Sequence, residues 1–322
     1  MSELASQPAD PLAEALRGRD CLTLADYSAD EIIYLLDLAA RLKEYRRQGI
    51  ATPWLAGKSL GMIFQKPSTR TRVSFEVGMY QLGGQALFLS GQDLQLSRGE
   101  PIADTAQVLS RFVNGLIIRT HAHQEAEELA RYASVPVINA LTDKYHPCQA
   151  LADMLTLREK HGRLAGLRLA YLGDGNNVAH SLMIASALLG MTIAVASPRQ
   201  LQPSAEVVDL VGRLANRHGG RLLITEDPRE AVQGADAVYT DVWTSMGFEE
   251  ERQERLRVLA PYRVTEDLCR EASPDYLFLH CLPAHRDEEV EPAVMDGPHS
   301  VVFDQAENRM HVQKALLALL MA

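Results

Sequence analysis

The chain lacks any apolar run approaching the roughly 20 residues that a bilayer span requires. Its first residues, Met1-Ser2-Glu3-Leu4-Ala5, lack the basic region and apolar stretch of a secretory signal. Asp10, Glu14 and a shortage of early arginines argue against an organellar transit peptide, so the cytoplasm is the expected compartment. Positive charge is also scarce. A net charge of −10 discourages nucleic acid or an anionic membrane as a partner, and any anion site must then be local. The four cysteines, Cys21, Cys148, Cys269 and Cys281, form no CxxC pair and no metal-ligand rhythm, so reduced thiols are expected. His121 and His123 sit close together without the carboxylate or cysteine cluster a metal site would add. There is no short-period repeat and no low-complexity segment.

What remains is a globular composition, 47% hydrophobic and 23% charged over 322 residues, enough for a large core and two domains. Short β-rich runs alternate with longer helical patterns, which predicts an α/β fold: two domains, each a parallel sheet flanked by helices. Candidate strands lie at 59–64, 85–90, 115–119 and 135–139, then at 167–172, 191–197, 221–225, 237–241 and 276–280. A helical pattern over 147–161, closed by His161-Gly162, separates the halves, and the domains are taken as 1–155 and 156–322. The Ala- and Leu-rich stretch 306–322 reads as a C-terminal helix.

The most informative run is Pro67-Ser68-Thr69-Arg70-Thr71-Arg72, set between the apolar strand 59–64 and a segment with Val73, Val77 and Met79 at helical spacing. A helix start offers unpaired N–H groups and partial positive charge, and Arg70 adds a planar fork matching phosphate oxygens. One hydroxyl suffices for a helix cap, so five consecutive polar residues favour a phosphate cradle.

Other polar clusters also follow the carboxyl ends of predicted strands, where open parallel sheets bind ligands. Arg119 ends an apolar strand, and a guanidinium there would face the same crevice as Arg70. His146-Pro147-Cys148-Gln149 opens a helix, aiming His146 outward as a donor to a carbonyl oxygen, while Cys148 is explained adequately as a small buried hydrophobe. Gly173-Asp174-Gly175 is a poor dinucleotide fingerprint: the third glycine position is Val178, and the next strand ends without the acidic residue that grips a ribose. A nicotinamide-dependent dehydrogenase is disfavoured, and Asn176 and Asn177 remain as donors for a small carboxylate. Asp241 would suit an ammonium group, with Ser245 and Met246 beyond it as a hydroxyl and an apolar wall. Cys281, between an apolar strand and Pro283, can act as polar contact, nucleophile or packing.

In chain order these clusters resemble the ornithine branch of the aspartate/ornithine transcarbamylase family, from about Gly18 to the final helix. The Ser68–Thr71 and His146–Gln149 motifs are shared across that family. Asp241 with Ser245-Met246-Gly247, and His280-Cys281-Leu282-Pro283, belong to its ornithine branch. The resemblance implies an enzyme that moves the carbamoyl group of carbamoyl phosphate to the δ-amine of L-ornithine, without metal or organic cofactor. It implies that Ser68, Thr69, Arg70 and Thr71 cradle the phosphate, with Arg119, His146 and Arg309 beside it. Gln149, within the Pro147-Cys148-Gln149 turn, and the Cys281-Leu282 backbone would hold the carbamoyl amide. Asn177 would take the ornithine carboxylate, Asp241 its α-amino group, and Ser245 and Met246 would close over it. Thr71, Arg119, His146 and Cys281 would carry the catalysis. Gln95 matches a position that in some bacterial members reaches a neighbouring subunit's site. The family implies a trimer, or an assembly of trimers, and a last helix returning to the first domain. The closest alternative is a sister transcarbamylase acting on acetylornithine or putrescine; a more distant one is a non-catalytic binding protein for a small anion.

Overall fold

The computed structural model describes residues 5–7, 10–244 and 252–322. The chain divides into two compact units, Met1–Ala152 with Glu307–Ala322, and Asp153–Ala306. The helices Pro147–His161 and Val302–Leu320 carry the chain from one unit to the other.

The first unit holds strands β1 (Ser59–Phe64), β2 (Gln85–Ser90), β3 (Gly115–Arg119) and β4 (Val137–Leu141), all parallel, in the order β2-β1-β3-β4. β1 and β3 are nearly continuous apolar runs, as strands covered on both faces must be. The predicted strand 135–139 is displaced to Val137–Leu141. Asn139 breaks the apolar run, so the strand looks finished in sequence. Its buried side chain instead donates to the Leu22 carbonyl at 3.0 Å, and pairing continues until Thr120 N–H reaches the Leu141 carbonyl at 3.0 Å.

The helix Thr69–Gln81 follows β1 and ends at Leu82, where Gly83 turns the chain at φ +80°. Its buried positions are Thr71, Phe75, Gly78 and Met79, while Val73 is 51% exposed, so Val73 is not part of the core stripe that its spacing predicted. The C-terminal helix starts at Val302, four residues before the predicted 306, because Asp304, Gln305 and Glu307 interrupt the apolar signal. Its second half packs back on the first unit. Lys314 donates to Gln81 at 2.9 Å, Gly18 N–H reaches the Leu320 carbonyl at 2.9 Å, and Met321 lies against Gly115 at the start of β3.

The second unit holds β5 (Arg168–Leu172), β6 (Thr192–Ala196), β7 (Arg221–Thr225), β8 (Ala237–Thr240) and β9 (Leu277–His280), parallel in the order β7-β6-β5-β8-β9. Its core joins Leu172, Ala194, Val238 and Phe278 of the sheet to Val232, Leu259, Val264 and Val294.

Both strand orders reverse direction once. In the first sheet the reversal falls between β1 and β3, whose ends Phe64 and Arg119 are register partners. In the second it falls between β5 and β8, with Leu172 opposite Thr240. Ligands bind outside the carboxyl ends of the strands at such switch points. The polar clusters after β1, β3, β5 and β8 occupy them.

Candidate active site

Each unit carries its own cluster. In the first, Ser68 caps the helix Thr69–Gln81, its hydroxyl accepting the Thr71 N–H at 3.2 Å and donating to Thr71 Oγ1 at 3.0 Å. Thr71 is fully buried, and Arg309 from the C-terminal helix donates to its hydroxyl at 2.8 Å. Arg119, also buried, closes β3, where the register with β4 shifts; its carbonyl accepts the Gln65 N–H at 2.9 Å and so ties the loop after β1 to β3. His146, buried before the helix Pro147–His161, is held neutral: burial pushes its pKa well below the ordinary value, and the Arg309, Arg119 and Arg70 guanidiniums push it the same way. Three arginines thus converge on one uncharged imidazole, a set that can bind a phosphate dianion and still donate to a neighbouring carbonyl oxygen.

Pro147 is the first residue of its helix, and Cys148 and Gln149 are buried in its first turn. Burial pushes the Cys148 thiol up to about 12, and its Sγ lies 3.6 Å from the Asn139 carbonyl, so it stays protonated and packs as a small side chain. Gln95 stands exposed on the short turn Gln95–Arg98 after β2.

The second cluster is centred on Asp241. Thr240 pairs with His280, so the next residues, Asp241 and Cys281, leave neighbouring strands side by side. The Cys281 thiol donates to Asp241 Oδ1 at 2.9 Å, and the Val242 N–H donates to the same oxygen at 2.7 Å. Asn176 donates to Asp241 Oδ2 at 2.9 Å, while its own oxygen caps the helix Asn177–Leu188 and accepts from the Tyr171 hydroxyl at 3.2 Å. Asn177 is the first residue of that helix. Ser245 and Met246 lie outside the described residues. Just before them Trp243 is buried, and its carbonyl accepts from Arg255 Nε at 2.6 Å, while Arg255 also pairs with Asp174.

The glycines after β5 have a packing role. A Cβ on Gly175 would meet the Pro203 nitrogen at 2.2 Å, so the loop needs glycine to let the backbone at 202–203 approach. Among the described residues, Asp241–His280–Cys281 and His285–Glu288–Glu289 bring three possible metal-ligand atoms within 4.8 Å of one another. In the first group Asp241 accepts from the Cys281 thiol, and His280 Nδ1 accepts the Leu282 N–H at 2.9 Å. Any cation there would compete with those bonds.

Sequence reasoning named Asn176 as a donor for a small carboxylate; in the structure its oxygen caps the helix Asn177–Leu188 and its amide donates to Asp241. That capping role was open to reading, since an Asn directly before a helical pattern is a capping signal. Arg255, 81 residues from Asp174, gives no local sign of its partner.

Among the described residues no helix is long and apolar enough to cross a membrane. Two family models match: the carbamoyl-P binding domain of aspartate/ornithine carbamoyltransferase over residues 19–159, and its Asp/Orn binding domain over residues 165–320. An ornithine carbamoyltransferase of Anoxybacillus flavithermus is 59% identical over 306 residues, which is 95% of this chain and 98% of that protein. A Pyrococcus furiosus relative named "Ornithine carbamoyltransferase, anabolic" is 55% identical over 307 residues, 95% of this chain and 98% of that protein. The solved structure of ornithine carbamoyltransferase from Pyrococcus furiosus superposes with a TM-score of 0.93 at 55% identity, covering 95% of this chain and 98% of that one. With two switch-point clusters on two parallel sheets and both family domains end to end, the chain belongs to the aspartate/ornithine carbamoyltransferase family and is a carbamoyltransferase.

Proposed function

We infer that the enzyme transfers the carbamoyl group of carbamoyl phosphate to the δ-amine of L-ornithine, yielding L-citrulline and phosphate. The observation that carries this reading is 59% identity over nearly the full length to a relative named for that activity. The Asp241–Cys281 pair supports it, since a carboxylate with both oxygens already oriented is a fixed anchor for an α-ammonium group.

Residues 1–155, with the last helix (about 306–322) returning to them, would supply the carbamoyl phosphate side and the rest of 156–322 the ornithine side. Ser68, Thr69, Arg70 and Thr71 hold the phosphate with Arg119 and Arg309. His146, neutral among those arginines, donates to the carbamoyl oxygen as negative charge develops there. Gln149, with Pro147 and Cys148 shaping its turn, and the Cys281-Leu282 backbone hold the carbamoyl amide. Asn177 binds the ornithine carboxylate, Asp241 the α-amino group, and Ser245 with Met246 covers the substrate. The neutral δ-amine attacks the carbamoyl carbon, the tetrahedral intermediate expels phosphate, and the departing phosphate accepts the amine proton. We assign the synthetic direction, arginine biosynthesis, in line with the name of the Pyrococcus furiosus relative. A cytoplasmic homotrimer, with Gln95 offered to a neighbouring subunit, is the assembly this reading favours.

The deciding experiment is an amine-acceptor panel: purified enzyme, carbamoyl phosphate, and ornithine, acetylornithine, putrescine or aspartate in turn. Citrulline formation should dominate. Preference for any other acceptor overturns the assignment.

A further inference from the structure

His280 and Glu289 have no part in the chemistry outlined above, yet they form a fully buried pair directly behind Cys281. Both side chains are 0% exposed, with His280 Nε2 3.2 Å from Glu289 Oε1. The other ring nitrogen, Nδ1, accepts the Leu282 N–H at 2.9 Å. A neutral imidazole with Nδ1 as acceptor carries its proton on Nε2, so the ring donates to Glu289. Glu289 Oε1 also accepts the His285 N–H at 2.5 Å, which binds the carboxylate to the far side of the same loop. The His280 backbone is fixed as well: its N–H donates to Gln305 Oε1 at 3.0 Å, and Gln305 donates in turn to Asp153 at 2.7 Å.

This framework surrounds a residue in an unusual conformation. Leu282 has φ +58°, the left-handed region that a residue with a Cβ rarely adopts. Such a conformation persists only where its surroundings over-determine it. In a trans peptide the N–H and C=O point in opposite directions. Fixing the Leu282 N–H on the imidazole therefore aims the Cys281 carbonyl away from it, and the left-handed Leu282 sets the direction of the next carbonyl.

We propose that His280 and Glu289 are positioning residues: Glu289 fixes the ring and tautomer of His280, and His280 fixes the Leu282 N–H so that the Cys281-Leu282 carbonyls meet the carbamoyl amide and the incoming amine. This rests on the reading of Cys281-Leu282 as a carbamoyl contact. Both side chains are assigned to hold the backbone and not the substrate, so the effect falls on kcat through the orientation of the acceptors.

The test compares Glu289→Gln and His280→Gln in steady-state kinetics with both substrates, alongside thermal unfolding. Glutamine at 289 keeps one oxygen able to accept both N–H groups, and turnover should stay within about fivefold of the parent. Glutamine at 280 can reach Glu289 but places no acceptor at the Nδ1 position, and kcat should fall about thirtyfold or more. Its KM for carbamoyl phosphate should move by less than about threefold, because the phosphate is held elsewhere. A purely structural role would lower the unfolding temperature and leave kcat of the folded protein intact; turnover of folded His280→Gln close to that of the parent overturns the proposal. Should that variant not fold, imidazole ¹⁵N spectra of the unmodified enzyme decide. A neutral His280 protonated at Nε2 supports the arrangement, and one protonated at Nδ1 overturns it. An unmodified enzyme that makes no citrulline would instead sink the proposed function, and the spectrum would still judge the pair.

Discussion

Arg309 donates to the hydroxyl of Thr71 at 2.8 Å across 238 residues of sequence. The bond joins the last helix to the first turn of the helix after β1, and both partners are buried. A guanidinium buried there needs its acceptor, since an unsatisfied charged group carries a desolvation cost well above that of a neutral one.

Replacing Thr71 with Val removes that acceptor at nearly constant volume. The expected result is a loss of about 1–3 kcal/mol of stability and a rise in KM for carbamoyl phosphate, with KM for ornithine little changed. Denaturant unfolding and two-substrate kinetics measure both. Arg70→Ala should act on carbamoyl phosphate more severely, and near-normal turnover at low carbamoyl phosphate would remove Arg70 from the cradle.

Asp241→Asn keeps the shape of the second cluster and removes its charge. Losing a charge-assisted hydrogen bond of about 1.5–3 kcal/mol corresponds to roughly a tenfold or larger rise in KM for ornithine. KM for carbamoyl phosphate should hold. An unchanged ornithine dependence would count against Asp241 as the α-amino anchor.

Acid should destabilise the protein through the first unit's histidines. Burial lowers the pKa values of His121, His123, His146 and His311, the last to about 4. Their unfolded value is about 6.5. Between that and each folded value the unfolded chain binds more protons, so stability rises with pH and is lost as pH falls from about 6.5 toward 4. Thermal unfolding at stepped pH should show this slope, and His311→Gln should flatten it. A profile level from pH 7 to 5 would contradict the burial of neutral imidazoles.

Gly175→Ala tests the packing role of the glycine after β5. A Cβ there would stand 2.2 Å from the Pro203 nitrogen, and backbone cannot swing away as a side chain tip can. A loss of about 3 kcal/mol is expected, together with weaker ornithine binding through displaced Asn176. Native-like stability would show that the 202–203 backbone yields without cost.

Much of the fold was legible because its signals are local. Short apolar runs between helical patterns placed nine strands, and only the strand through Asn139 was displaced by two residues. The helix start at Pro147 and its end at His161 coincide with their sequence signals, proline at the first position and glycine just beyond the last. Val73 failed because periodicity tells which residues share a face, whereas Phe75 and Met79 are the ones that meet the core. At the site, the strand-end rule singled out Ser68–Thr71, Arg119, His146 and Asp241. It could not pair Asp241 with Cys281 or His280 with Glu289.

Composition, periodicity and capping residues, all properties of neighbouring positions, determined that this chain is a two-part α/β protein with polar and cationic clusters at its strand ends. Tertiary structure alone decided which strand ends stand together. The order β2-β1-β3-β4 brings Arg119 beside the loop after β1, and β5-β8-β9 lays Cys281 next to Asp241. Strand order follows from how crossover helices bury their apolar faces on a sheet, a long-range energy that no short window of residues encodes. The same is true of the imidazole of His146: any histidine titrates near pH 6.5 in a free chain, and only burial among three distant arginines holds this one neutral.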